Sequence, residues 1–189
     1  MRKHPEVTEA TRKAIVDAFC IISRNKPIER ITILEIARKA GYNRCTFYQY
    51  FKDVYDLLDH IENIVLSQIK ENFERNITQE NFNESFFTAF TRIHQEQAAY
   101  FDLLLNNSNR TRFADKLMTD VLPIFMKKFH MAKEHPYSEY LASMYFASVV
   151  AAISCWIGNG RALPLPDLSE LLGNVLTKGV MTEIGKYKK

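Results

Sequence analysis

Residues 32–51, TILEIARKAGYNRCTFYQYF, have room for two short helices and one tight turn, and this limits the fold more than any other stretch. Thr32 and Glu35 have the Ser/Thr-x-x-Glu spacing in which each side chain satisfies an orphan amide of the other at a helix start. Ile33, Ile36, Ala37 and Ala40 then recur at helical steps and face inward. Gly41 follows, and glycine ends helices because it tolerates a left-handed backbone. Asn43 is well suited to cap a second helix, whose Phe47 and Phe51 fall on one side, toward a core.

The same helical spacing runs through most of the 189 residues. Ala14, Ile15, Ala18, Phe19 and Ile22 mark a first helix that starts near Thr8 or Thr11 and ends at Asn25-Lys26-Pro27. Asp53 caps a fourth, with Leu57, Leu58, Ile61, Ile64, Val65, Ile69 and Phe73 inward. The chain turns polar from Thr78 to Asn83. Helices are expected again over 84–97, 98–106, 110–133 and 138–157. The last starts near Pro166, where Asp167 and Glu170 repeat the capping-box spacing, and it carries Leu168, Leu171, Leu172, Val175, Leu176 and Val180. Glycine and proline, 6 of each, are too few for the turns of an all-β fold. The expectation is therefore an all-α chain of about nine helices. Residues 1–56 would form a three-helix domain, 57–76 a connecting helix, and 77–189 a larger helical domain.

Charge is divided unevenly. Residues 1–52 hold eleven Lys and Arg against five Asp and Glu, whereas the rest of the chain is net acidic within an overall charge of +3. An excess of this kind marks a solvated basic face or a contact with nucleic acid or membrane. A membrane role is disfavoured because the first helix lacks a large apolar face opposed to dense lysine. The mostly uncharged stretch 140–160 is about as long as a membrane span. Its Ser, Ala and Tyr content and its Gly-Asn-Gly-Arg ending fit a buried helix better. Asp17 and Arg24 interrupt any signal-like apolar core. Cys20, Cys45 and Cys155 are widely spaced and odd in number, so they suggest neither a zinc site nor a disulfide framework; reduced thiols in a cytoplasm fit best. No metal and no cofactor is expected. The five histidines, His4, His60, His94, His130 and His135, stand in no HExxH, Ser/His or P-loop context, which argues against an enzyme. His60, in Asp-His-Ile-Glu, reads as part of an exposed helix face.

On a wheel of about 100° per residue, Cys45, Thr46 and Gln49 oppose Phe47 and Phe51, with Arg44 and Tyr48 on one flank and Tyr50 on the other. That outer face is polar without being uniformly charged, which suits reading base edges in a major groove while its flanks hold phosphates. Arg44 matches guanine bidentately and Gln49 matches adenine. Tyr48 and Tyr50 offer hydroxyls to phosphate or pack as aromatics. Cys45 is either a small filler or a thiol activated by a helix start. Amides near Thr32 and Ile33 are a further phosphate site, and Lys52 another. The expected partner is a palindromic double-stranded DNA operator.

The run ITILEIARKAGYNRCTFYQYFKDVYDLL resembles the N-terminal signature of the TetR family of bacterial regulators. The resemblance rests on Thr32, Ile36, Ala37, Ala40, Gly41, Asn43, Thr46, Phe47, Tyr48, Tyr50, Phe51, Leu57 and Leu58, and covers about the first third of the chain. It implies a DNA-binding repressor, homodimeric and released by a small effector. Some positions depart from the family pattern. Tyr42 stands where valine is common, and Cys45 where a small residue is common. Val54 stands where the family commonly has a phosphate-binding lysine, and Lys52 is the available substitute.

The resemblance also implies that the C-terminal domain dimerises through its last two helices and often encloses a ligand. Ala147, Ala151 and Ser154 keep one helix slim, and Leu168, Leu172, Val175 and Leu176 give the other an apolar stripe. The same residues would alternatively complete a monomer core. A pocket for a small apolar or aromatic effector is assigned to Phe90, Phe101, Phe125, Phe129 and Tyr145, with His94 and Gln97 as polar tips. A regulator controlled by a protein partner, with no small ligand, is the other reading.

Overall fold

Helix periodicity without strand patterning requires a helix-on-helix fold, and every regular element is helical among the described residues of the computed structural model: 5–75, 82–106, 108–131 and 137–179. In order these are α1 (Pro5–Ser23), a 3-10 turn (Ile28–Arg30), α2 (Ile33–Lys39), α3 (Arg44–Tyr48), α4 (Val54–Arg75), α5 (Phe82–Leu104), α6 (Arg110–Lys128), α7 (Ser138–Gly158) and α8 (Leu165–Lys178).

Several boundaries differ from expectation, each for a local reason. α1 begins at Pro5, so Thr11 is buried within it instead of marking its start. The segments expected at 84–97 and 98–106 are one element, α5, kinked at Gln97 (φ −138°, ψ 36°). This is why eight α-helices, and not nine, are found among the described residues. α6 stops at Lys128, short of residue 133, because His130 takes a left-handed φ of 51° and the Met131 amide turns back to the Met126 carbonyl at 2.9 Å. α8 starts at Leu165 behind Pro164, with no side-chain cap, so the box expected from Asp167 and Glu170 does not form. The polar boundary expected from Thr78, and Val180, lie outside the described residues in whole or in part.

The chain divides into two compact units. One comprises Met1–Val65 with Gln97–Leu104; the other comprises Leu66–Glu96 with Leu105–Lys189. Both α4 and α5 therefore contribute to each. In the first unit Phe19, Ile36, Phe47, Leu57 and Ile61 are fully buried. These are the positions that repeat at three- and four-residue steps along α1 to α4, so burial follows the sequence pattern.

The second unit has an aromatic interior. Phe125 lies 5.3 Å from Tyr145, 5.2 Å from Phe146 and 6.3 Å from Phe73, ring centre to ring centre. α6 and α7 pack along their length, and a short Gly-containing turn then brings α8 back. Gly160 (φ 65°) closes α7, and the Trp156 indole N–H donates to the Leu163 carbonyl at 2.8 Å, fixing the turn. α7 is long and apolar enough to cross a membrane by length and composition. Only one side of it is buried, through Ala142, Phe146, Val149, Ile153 and Trp156; Tyr140, Leu141 and Met144 lie on an exposed side. The buried helix expected here is thus only half buried.

The turn after α2 provides a test of this account. Gly41 has φ 81°, the Tyr42 amide donates to the Ala37 carbonyl at 2.8 Å and the Gly41 amide to the Arg38 carbonyl at 3.1 Å. A Cβ at Gly41 would meet nothing within 4 Å, so the cost of adding one is conformational only. Gly41→Ala is expected to destabilise the chain by about 1 kcal/mol, read as a lower urea midpoint at unchanged slope.

Candidate nucleic-acid interface

The capping box read from the sequence is present. Thr32 Oγ1 accepts the Glu35 amide at 3.3 Å, and Glu35 Oε2 accepts the Thr32 amide at 2.8 Å. Lys26, in the segment before α2, adds an ion pair of 2.6 Å to Glu35 Oε1. These donors hold the Glu35 carboxyl down at about 2, the Lys26 hydrogen bond contributing most and the Thr32 amide and hydroxyl next. The consequence for DNA is that the α2 start is only partly open to phosphate. The Thr32 and Glu35 amides are engaged and a carboxylate sits beside them; Ile33, half-buried, and Leu34 have the remaining amides.

α3 is set by its cap and its core residues. Asn43 Oδ1 accepts the Thr46 amide at 2.9 Å and the Thr46 hydroxyl at 3.2 Å. Phe47 is fully buried and Phe51 nearly so. The element ends at Tyr48 and not at Phe51, because the Tyr50 and Phe51 amides both turn onto the Phe47 carbonyl. With Phe47 inward, Arg44, Cys45 and Gln49 are exposed, Thr46 is half-buried, and Tyr48 is 58% exposed. Tyr50 is half-buried with the Arg12 guanidinium 5.8 Å over its ring, so that ring packs within the unit. Lys52 is exposed, and its amide donates to Asp56 Oδ2 at 2.8 Å.

The start of α4 behaves differently. Val54 is largely buried, so that position offers no polar group to phosphate. Asp53 Oδ1 accepts the Tyr55 and Asp56 amides at 2.8 and 2.9 Å. With its own carboxylates on the amides, this helix start does not favour phosphate. Two exposed tyrosines went unassigned in the sequence. Tyr42, in the turn, is 38% exposed and its hydroxyl accepts from Thr11 Oγ1 at 3.3 Å, which leaves its own proton free to point elsewhere. Tyr55, in the first turn of α4, is 49% exposed. Their signal was their position: each follows or adjoins a capping residue at a helix end. His60 is not on an open face; it packs on Phe51 at 5.3 Å between ring centres, and burial holds its pKa below the ordinary value.

The residues assigned to a ligand pocket fall into three groups. Phe125, Phe129 and Tyr145 sit in one aromatic cluster, and burial pushes the Tyr145 hydroxyl up. His94 lies 5.9 Å from Phe90 and meets Trp156 edge-on at 5.0 Å, ring centre to ring centre. Gln97 and Phe101 belong to the first unit. A groove of about 740 Å³ between α5 and α8, and one of about 500 Å³ between α6 and α7, are lined by other residues. Of the residues assigned to a subunit contact, Ala147 and Ala151 are exposed, and Val175 and Leu176 are half-buried. Ser154, Leu168 and Leu172 are buried within the protomer. All three cysteines are free; burial raises the Cys20 thiol to about 12, while Cys45 and Cys155 are exposed.

Comparison with known proteins follows the same outline. Residues 80–178 match the TetR-type family described as a transcriptional regulator C-terminal region. An HTH-type transcriptional regulator of Haemophilus influenzae is 25% identical over 176 residues, covering 89% of this chain and 86% of its own. Among solved structures, the fatty acid degradation regulator FadR of Bacillus halodurans superposes with a TM-score of 0.69 at 15% identity, covering 93% of this chain and 96% of that one. SmeT, the repressor of the Stenotrophomonas maltophilia multidrug efflux pump SmeDEF, superposes with a TM-score of 0.67 at 20% identity, covering 89% of each chain.

The Glu35 cluster predicts a pH effect. A carboxyl whose pKa is lower in the folded chain than its ordinary 4.5 contributes stability above that value and loses it as pH falls toward about 2. The stability gap between the wild type and Glu35→Gln is expected to narrow over this window and close below it. Urea unfolding followed by circular dichroism at a series of acid pH values measures the gap.

Proposed function

This chain belongs to the TetR family of transcriptional regulators, and from that membership we propose that it is a repressor that reads a palindromic operator as a homodimer and is released by a small effector. It is a regulator and not an enzyme. The observation that carries the reading is the outer side of α3, where Arg44, Cys45, Tyr48 and Gln49 stand exposed over a buried Phe47. In this reading residues 1–56 bind DNA, 57–76 connect, and 77–189 regulate and dimerise. Its place of action is the cytoplasm, with the DNA.

Arg44 and Gln49 read base edges, with Thr46 and Cys45 against the bases between them. Tyr48, Lys52, Thr32 and Ile33 hold the backbone, joined by Tyr42 and Tyr55 on account of their exposure, and Tyr50 supports them from beneath. Two such heads read successive major grooves only when about 34–36 Å apart, which calls for a dimer. FadR and SmeT are named for fatty acid degradation and for an efflux pump, and the aromatic interior around Phe125 and Tyr145 supports a similarly apolar effector here. Gln68 Oε1 and Ser154 Oγ are buried without a hydrogen-bond partner among the described residues, which supports a ligand with a polar group or a water there.

Selection of bound duplexes from a random DNA library is expected to return a palindrome with half-sites one helical turn apart. Arg44→Ala is then expected to weaken binding to that site by about 10-fold or more, with little change on random duplex. An equal loss on both DNAs would remove Arg44 from base reading, and recovery of asymmetric single sites would contradict the dimer.

A further inference from the structure

α5 and α8 enclose the groove of about 740 Å³, and none of the residues given a role in DNA or effector binding lines it. The two helices run antiparallel there. Gly173 of α8 faces the Phe87 ring, while the Trp156 indole, 5.0 Å from His94 between ring centres, donates to the Leu163 carbonyl just before α8 begins. Rising numbers on α8 therefore meet falling numbers on α5, and Pro166 and Glu170 lie toward Arg92 and Gln95. The groove is on the side of α5 turned from the aromatic interior. At about 100° per residue, Thr88, Thr91, Arg92 and Gln95 stand opposite Phe86, which meets Phe73 and Tyr145.

Gly173 is a costly residue for its position. Glycine inside a helix destabilises it relative to alanine. Its backbone is not left-handed, and a Cβ there would meet only the Phe87 ring, at 3.6 Å, an ordinary contact. Neither conformation nor packing therefore requires glycine. What it provides is depth: the bare α8 backbone and the buried Phe87 ring leave an open apolar floor. Two opposite charges stand at one end of this floor. Arg92 and Glu170 both line the groove and are exposed, and neither has a hydrogen-bond or ion-pair partner among the described residues. At the far end the Lys178 ammonium donates to Asn174 Oδ1 at 2.8 Å.

We propose that this groove binds a free α-amino acid with an apolar side chain, whose carboxylate pairs with Arg92, whose ammonium pairs with Glu170, and whose side chain lies over Gly173 against Phe87. The site is separate from the aromatic interior and stands independently of the repressor and dimer readings. A guanidinium takes a carboxylate through two parallel hydrogen bonds, and a carboxylate takes an ammonium through charge-assisted ones. Arg92 and Glu170 belong to opposite walls and do not pair with each other, so a molecule that carries both charges satisfies both. A simple anion would meet Glu170 as a like charge, and a simple cation would meet Arg92, so the pair also selects against singly charged ligands. From Glu170 to Gly173 the helical rise is about 4.5 Å, the reach of a leucine or phenylalanine side chain. Thr91 and Gln95, on the Arg92 wall, offer a hydroxyl and an amide to the remaining carboxylate lone pairs.

Isothermal titration of the full chain with a panel of standard amino acids tests this. L-Leucine or L-phenylalanine is expected to bind. N-acetyl-L-phenylalanine lacks the ammonium and L-phenylalaninamide the carboxylate, and each is expected to bind at least about tenfold more weakly than L-phenylalanine. Arg92→Gln and Glu170→Gln are each expected to weaken binding of the free amino acid about tenfold as well. Gly173→Ala separates binding from folding: it should hold or raise the urea midpoint and weaken binding about fivefold, because the added methyl fills the floor. Absence of binding by every amino acid at about 10 mM overturns the proposal. Binding that is indifferent to Arg92→Gln and Glu170→Gln places the ligand elsewhere and overturns it too. Equal binding of the acetylated and amidated compounds overturns the zwitterionic assignment and with it the proposal. Operator binding is measured on DNA, so none of these results bears on the repressor reading.

Discussion

A helix of five residues has no stability of its own, so α3 exists because Phe47 is buried. Everything exposed on the far side of that element takes its direction from this one ring. The caps refine the placement. Gly41 turns the chain out of α2 without a steric penalty, and Asn43 receives the Thr46 amide at the start of α3. Phe51 then seats the exit of the turn against Phe47 and His60. Removing the ring would leave only local hydrogen bonds to hold a helix that needs tertiary contacts.

The basic excess of the N-terminal quarter is distributed by the same packing. Lys26 is committed to Glu35, and Arg12 to Glu9 and to the face of Tyr50. The start of α4 is capped by Asp53 and Asp56, and Val54 is turned inward. Under the proposed DNA-binding role, phosphate contacts therefore fall to hydroxyls and to Lys52, which is exposed. A tyrosine hydroxyl holds phosphate by hydrogen bonding without a full charge, so fewer counterions leave the DNA than a lysine would displace.

The second unit is built by burial of aromatics, and its design becomes clear in α7. One side of the helix is locked into the protomer by Phe146, Ile153 and Trp156, and the other is apolar and bare. Leu168 and Leu172, which read as contact residues because leucines mark stripes, instead hold α8 to its own chain. The exposed side of α7 begins with the large residues Tyr140, Leu141 and Met144 and continues with Ala147, Ser148 and Ala151, so hydrophobicity alone does not tell it from the buried side.

Local chemistry made the α2–turn–α3 element legible. The Thr32–Glu35 box, the Gly41 turn and the Asn43 cap involve residues three or four apart, and the inward side of α1 to α4 follows from periodicity, so the amino-acid sequence alone determined them. Resemblance to a family added the function that those elements serve. The sequence did not determine what depends on residues far apart in the chain. The Tyr42 hydroxyl takes a bond from Thr11, thirty-one residues away; Arg12 covers Tyr50; and the aromatics assigned to one pocket are drawn from both compact units. The kink at Gln97, the left-handed His130 and the bare side of α7 belong to the same class. Each is a choice among several positions that local propensity treats as equal, and only packing against the rest of the chain distinguishes them.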